Sequence, residues 1–293
     1  MLTAETIRKI RRIEIRTSRV VQEAVAGRYL SAFKGRGMEF EEVRPYELGD
    51  DVRTIDWNVS ARAGSPHIKL FREERELTVL LAIDLSASLR FGSQGQLKRE
   101  LVAEVAATLA FSATRNNDKV GLLLFTDQIE RFVPPRKGRR HVLRIVRDLL
   151  AHSPRGIGTD LPAALDELNR IQRRRAVVFV VSDFLDEGWE QPLAIARRRH
   201  DLIPVAITDR REHELPSAGL IELEDEESGA RVIVDSSSRR VREHFRTSAI
   251  ERTERFQRAL HRLKLEPLML ETGLDYVEPI TAYFRKREAR RTR

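Results

Sequence analysis

Apolar residues fall into two rhythms along this chain. Leu77-Thr78-Val79-Leu80-Leu81-Ala82-Ile83 and Ala176-Val177-Val178-Phe179-Val180-Val181 are short, continuous and partly β-branched. Such runs suit strands buried on both faces. Between and after them come longer stretches with apolar positions three and four apart. The pattern predicts strands at 77–84, 119–126, 129–133, 175–182 and 201–208. It predicts helices at about 95–115, 138–151, 161–173 and 188–199. Strands alternating with helices make an α/β fold, a doubly wound and mostly parallel sheet with helices on both faces. Downstream, Ile221–Val234 reads as a hairpin with its tip near Ser228-Gly229, followed by helix 237–263, strand 266–270 and helix 276–288.

The first 76 residues follow a different pattern. Thr3 to Ala26 carries an apolar stripe of Ile7, Ile10, Ile13, Val20, Val21 and Ala24, which predicts one helix. Gly35–Glu47 and Ser65–Glu76 read as extended. The expected organisation is a lead-in over 1–76, packed on a main domain over 77–293 that ends in a helical extension.

The first buried strand stops at Asp84-Leu85-Ser86-Ala87-Ser88. Alternate residues of an extended loop point the same way, so one carboxylate and two hydroxyls can converge. An oxygen-only set suits a magnesium-like cation and not zinc. By itself the motif also fits a helix cap or a turn. Two later segments supply more oxygen donors: the loop Gly156-Ile157-Gly158-Thr159-Asp160 with its Thr159 hydroxyl, and the strand end Ser182-Asp183. In a doubly wound sheet all three lie at the carboxyl edge, where ligands bind.

The three motifs, in this order, resemble the metal-ion-dependent adhesion site of von Willebrand factor A domains. The resemblance implies Mg2+, or Mn2+ or Ca2+ in its place, held by Asp84, Ser86, Ser88, Thr159 and Asp183. It also implies one open coordination position for a partner's Asp or Glu. The main domain is then von Willebrand factor A-like.

The segment ahead of it is more specific. Val43-Arg44-Pro45-Tyr46-Glu47-Leu48-Gly49-Asp50-Asp51-Val52-Arg53-Thr54-Ile55-Asp56-Trp57-Asn58, after Phe33–Phe40 and before Ser60-Ala61-Arg62, closely resembles the signature of domain-of-unknown-function family fifty-eight (DUF58). That family implies a partnership with a MoxR-type AAA+ ATPase. Read from the residues alone, Gly49 sits in a turn closed by Asp50 and Asp51. Arg44, Arg53 and Arg62 interleave with Asp50, Asp51 and Asp56 as an ion-pair network. Trp57 is expected to anchor this segment against the main domain, the alternative being a docking surface beside the metal.

Composition narrows the function. The chain has 293 residues and no cysteine, which excludes disulfides and thiolate sites. No apolar run reaches the length of a membrane span, and Met1–Arg19 has no apolar core of a signal peptide, so the expected location is the cytoplasm. The net charge of +8 raises the alternative of a basic nucleic-acid-associated protein. However, Arg173–Arg175 and Arg197–His200 fall at helix ends, where cations complement the helix dipole. Arg285–Arg293, with six basic residues and one acid, reads as a solvated tail. The seven His show no metal-ligand spacing and read as surface or capping residues. There is no G-x-G-x-x-G, no Walker A motif and no G-x-S-x-G elbow. A strand-end Asp is also a phosphoryl-transfer nucleophile, but Ser86 stands where such hydrolases want a second Asp. The expectation is a non-enzymatic, metal-dependent protein-binding module, an adaptor or partner of a MoxR-type ATPase in protein assembly or remodelling.

Overall fold

The computed structural model describes residues 4–21, 25–33, 39–72, 76–227 and 229–291. Two helices lead, α1 (Ala4–Val20) and α2 (Ala26–Phe33). Strands β1 (Glu39–Pro45) and β2 (His67–Arg72) pair antiparallel around the short helix α3 (Trp57–Ala63). The main alternation follows: β3 (Thr78–Asp84), α4 (Lys98–Arg115), β4 (Lys119–Phe125), β5 (Ile129–Arg136), α5 (Arg139–Ala151), α6 (Leu161–Ile171), β6 (Val177–Ser182), α7 (Glu190–Arg199) and β7 (Asp201–Thr208). The chain closes with β8 (Leu220–Glu224), β9 (Arg231–Asp235), α8 (Arg239–Arg262), β10 (Leu268–Glu271) and α9 (Val277–Arg291).

Six strands form the central sheet in the order β10-β7-β6-β3-β4-β5, and only the edge strand β5 runs antiparallel to its neighbour. This is the doubly wound, mostly parallel α/β class that the sequence predicts. Strand pleating divides the core in two. Val79, Leu81 and Ile83 of β3 face a layer containing α4, α5 and α9. Leu80 and Ala82 face α6 and α7 on the other side. Each fully buried aliphatic side chain contributes about 1.5–3 kcal/mol, so β3, buried from Val79 to Asp84, is strongly held, as are β4, β6 and β7 with six buried residues each.

Helix α4 is apolar almost all round, which requires cover on its outer side as well. Its Leu101, Val105 and Leu109 are wholly buried. The sheet covers one side, and α1 packs across α4 and α5. Residues 22–24, within the expected Thr3–Ala26 helix, lie outside the described residues. Beyond them helix continues as α2, whose Tyr29 and Phe33 pack on Phe284 of α9. The Tyr29 hydroxyl donates to Asp118 at 3.0 Å, tying α2 to the start of β4. Burial raises the Asp118 carboxyl to about 6 despite its bonds from Leu77 N–H and Tyr29.

The signature segment departs from expectation at Trp57, which is 71% exposed. Trp57 sits in the first turn of α3, where Asp56 caps the helix by accepting from Asn58 N–H at 3.0 Å and Val59 N–H at 3.3 Å. That cap points the capping side chain inward and the next residue outward. Charge pairing does hold the segment: Arg44 donates two bonds of 2.8 Å to Asp50, and Lys69 pairs with Asp56 at 2.9 Å. Gly49, at φ +113°, makes the predicted turn, and Asp50 N–H donates to Glu47 O across it. Leu48 and Val52 of the same segment are exposed as well. Trp57→Ala should therefore change stability by less than about 0.5 kcal/mol in urea unfolding. A loss of about 3 kcal/mol or more would restore the anchoring role.

The basic C-terminal stretch is not a loose tail. Helix α9 runs through Arg291, and Arg287 pairs with Asp201 at the head of β7 while stacking over the Phe33 ring at 4.9 Å.

Candidate functional site

The site lies at the carboxyl edge of the sheet, around the end of β3. Asp84 is the last residue of an extended, buried strand, so its carboxyl group is wholly out of water. Two neighbours orient it. Ser86 N–H donates to Oδ1 at 2.8 Å, and the Ser182 hydroxyl at the end of β6 donates to Oδ2 at 2.8 Å. Burial first, and the nearby Asp183 carboxylate second, push Asp84 up to about 7. The Ser86 and Ser88 hydroxyl oxygens lie 3.0 Å apart. The chain then tightens into a 3-10 turn over Ala87–Arg90.

A backbone bond joins the first motif to the second: Ala87 N–H donates to Ile157 O at 2.9 Å. The second loop is fixed from beneath by Glu130 of β5. Its Oε1 accepts from Arg155 N–H and Gly156 N–H at 2.8 Å each and from the Thr126 hydroxyl at 3.0 Å. Its Oε2 lies 3.0 Å from His152 Nε2. Burial alone would raise this carboxyl, but the donors outweigh it and hold Glu130 at about 2. Gly156 is required by close approach, since a Cβ there would stand 1.8 Å from Asp127 Oδ1. Asp160 then caps α6 by accepting from Ala163 N–H at 2.8 Å. These restraints present the Thr159 hydroxyl, which donates to Glu227 Oε1 at 2.8 Å. Glu227 comes from the turn between β8 and β9.

The third motif follows β6. Asp183 Oδ2 lies 2.8 Å from the ammonium of Lys98, which also reaches Glu212 at 2.6 Å. Lys98 opens α4, yet its side chain is wholly buried. Burial would lower its pKa; the two carboxylates outweigh that and raise it. Phe184 takes a left-handed backbone, φ +56°. Its N–H bonds the Ser182 hydroxyl at 3.1 Å, and its ring packs on Trp189 and Phe256. These contacts sustain a conformation that costs a non-glycine residue on the order of 1 kcal/mol. Beside it opens a cavity of about 730 Å3, lined by Asp183, Phe184, Trp189, Glu212, Arg252 and Phe256 among others. Asp209, at the end of β7, accepts from Ser93 N–H at 2.8 Å, Ser93 OH at 2.5 Å and the Thr272 hydroxyl. It locks the loop after β3 to the loop after β10.

Ser86 thus links the first motif, bonding Asp84 through its N–H and lying 3.0 Å from the Ser88 hydroxyl, with Asp183 close enough to disturb Asp84 electrostatically. Thr159 sits on the loop bonded to Ala87. The donor chemistry fits a hard cation: one buried carboxylate and three hydroxyls, with a second carboxylate adjacent. Among the described residues no group of three or more His, Asp or Glu side chains is arranged for a metal, so a site here depends on hydroxyls. All five predicted ligands already have partners: Asp84 accepts from Ser86 N–H and Ser182 OH, the Ser86 and Ser88 hydroxyls pair with each other, Asp183 pairs with Lys98, and Thr159 donates to Glu227. Sequence reasoning missed Lys98, Glu212, Glu130 and Glu227. Only Glu130 left a trace, as the one acid of the strand Ile129–Arg136.

Comparison with known proteins places the chain among relatives of unknown role. An uncharacterized protein of Mycobacterium tuberculosis is 32% identical over 281 residues, covering 95% of this chain and 88% of that protein. An uncharacterized protein of Mycobacterium bovis matches equally, 32% over the same length. Among solved structures, an aerotolerance-related membrane protein from Bacteroides fragilis is 15% identical with a TM-score of 0.45, covering 73% of this chain and 99% of that one. Conserved hypothetical protein BatB from Bacteroides thetaiotaomicron is 14% identical with a TM-score of 0.46 and the same coverage, 73% and 99%. The family described as "Protein of unknown function DUF58" matches residues 42–255, which takes in the Arg44–Trp57 string and all three site motifs. The chain belongs to that family.

Proposed function

We propose that the protein is a non-enzymatic binding module that captures an acidic side chain of a partner protein at the Asp84 edge, dependent on a divalent cation. The observation that carries this reading is Glu227: a carboxylate of the chain itself hydrogen-bonds the Thr159 hydroxyl at 2.8 Å. An acidic group therefore finds a favourable position beside the Thr159 hydroxyl, and the hairpin turn acts as an internal stand-in for the partner. A bound Mg2+ or Mn2+ would supply an electrophilic position for the incoming carboxylate.

The chain's residues do the rest. Ser86 N–H and Ser182 OH hold both Asp84 oxygens in place. The Glu130 anchor sets the height of Thr159, and the Ala87–Ile157 bond keeps the two loops in register. Lys98 holds Asp183 in place. The family resemblance points to a MoxR-type AAA+ ATPase or its client as the partner, in protein assembly or remodelling.

Mg2+ should raise the melting temperature of the full chain, because a ligand that binds only the folded state stabilises by mass action. Asp84→Ala should remove that response and leave the apo fold intact, since the variant also removes a buried charge. An equal response to Mg2+ in both proteins sinks the assignment. Partner binding that survives chelation but collapses with added salt points instead to a phosphate-type basic surface.

A further inference from the structure

The opposite edge of the sheet carries a second constellation. Arg175 precedes β6, His200 and Asp201 lead into β7, and Lys264 and Glu266 precede β10. The carboxyl end of α7 brings Arg197, and α9 passes with Arg287 and Arg290. These residues line a cleft of about 310 Å3. The sequence scatters them over more than a hundred positions, so each short basic run reads as a helix-end cap. Folding brings them together.

The charges do not balance. Five Arg and Lys side chains and only two carboxylates, Asp201 and Glu266, line the cleft. Both acids are already engaged, Asp201 by Arg287 and Glu266 by Lys286 and Arg290. Arg175, Arg197 and Lys264 are left as exposed cations at the mouth. Deeper in, His200 is 2% exposed, and neither of its ring nitrogens has a hydrogen-bond partner; Arg287 Nε is likewise unpartnered. Buried polar nitrogens without partners are unfavourable and rare. Helix-dipole complementation explains Arg197, but it explains neither the lone imidazole nor Lys264. Arg287 is preorganised by Asp201 on one side and the Phe33 ring, 4.9 Å from its guanidinium carbon, on the other.

We propose that this cleft binds a small phosphate-bearing polyanion, a diphosphate group either free or at the end of a larger molecule. The buried His200 and the half-buried Arg287 are its inner donors, and Arg175, Arg197 and Lys264 close over it. Guanidinium forks match phosphate oxygens bidentately, and an excess of three positive charges calls for more than a monocarboxylate. The volume lies at the low end for ligand pockets, about 300–1,000 Å3, so it admits a headgroup and not a whole nucleotide. A half-open cleft with its cations gathered around one cavity is also unlike the extended open stripe that tracks a nucleic-acid backbone.

The test is calorimetric titration of the full chain with inorganic diphosphate and, separately, a nucleoside diphosphate. Both are run at fixed ionic strength with chelator present, which keeps the Asp84 edge out of the readout. Saturable one-to-one binding is expected. The double variant Arg197→Ala/Lys264→Ala should weaken it about tenfold or more, a change of about 1.4 kcal/mol or greater, with no loss of melting temperature in the free protein. Arg285→Ala, an exposed cation that does not line the cleft, should leave affinity unchanged. The His200 imidazole resonances should move on adding diphosphate, a readout that a purely structural histidine does not give. Tighter binding of the nucleoside diphosphate assigns the group to a larger molecule, and equal or tighter binding of inorganic diphosphate assigns a free ion. No saturable binding at millimolar ligand, or equal losses in the double variant and Arg285→Ala, overturns the proposal.

Discussion

Lys98→Ala is expected to destabilise the protein by about 3–5 kcal/mol. The ammonium is wholly buried and is shared between Asp183 and Glu212 at 2.8 and 2.6 Å. Removing it leaves Asp183, itself 3% exposed, without its counter-charge and close to the buried Asp84 carboxyl. Breaking a buried pair by deleting one partner costs far more than the pair adds, because the remaining charge is stranded. Lys98→Met separates charge from packing, since it keeps the aliphatic stem; most of the loss should persist. Adding Asp183→Asn to Lys98→Met should recover part of it, as expected of coupled neighbours. The sign of the pH effect follows from the raised Lys98 pKa. Its contribution is fully present below the ordinary lysine value of 10.5 and fades only as pH rises through the folded value. Urea unfolding at pH 7 measures the loss, and a change under about 1 kcal/mol would show that the ammonium is not the counter-charge of this edge.

Continuous apolar runs located β3 and β6 to within a residue or two, because strands buried on both faces have no polar positions to blur their ends. The strand-end acid and its paired hydroxyls followed from that placement. Lys98 was illegible for the opposite reason. In Gln96-Leu97-Lys98-Arg99 it resembles any exposed cation, and its partners lie 85 and 114 residues away. Glu227 is hidden in the same way, in an acidic hairpin turn 68 residues from Thr159. Trp57 failed through a one-way rule: large apolar residues favour burial, yet much folded surface stays apolar. The exposure of Trp57 weighs against its anchoring role and toward the alternative reading of that segment as a docking surface. The short α3 was missed because two helical turns leave no full apolar period, and its cap, Asp56, read as a member of the ion-pair network. The basic C-terminus looked solvated only while Asp201 and Phe33, distant in sequence, were out of sight.

Glu130→Ala should cost about 3 kcal/mol at pH 7, since hydrogen bonds to a charged group contribute roughly 1.5–3 kcal/mol and the residue accepts several. Its side chain is 1% exposed, so water cannot replace the lost acceptor for Arg155 N–H, Gly156 N–H and Thr126. The loop that presents Thr159 should loosen with it. Faster amide exchange at Arg155 and Gly156 than in the remote helix α7 is the local signature. The pH dependence identifies charge as the cause. The folded carboxyl is held at about 2 against an ordinary 4.5. Its stabilisation is therefore fully present above 4.5 and lost as pH falls toward 2. The gap between wild type and Glu130→Ala should be widest near neutrality and narrow across that window, as the wild-type carboxylate protonates. Glu130→Gln, which keeps the shape and one acceptor, should fall between the two at pH 7 and converge on wild type at low pH. Unfolding free energies at a series of pH values decide it. A gap that stays constant down to pH 2 would mean that packing, and not the carboxylate charge, holds this loop.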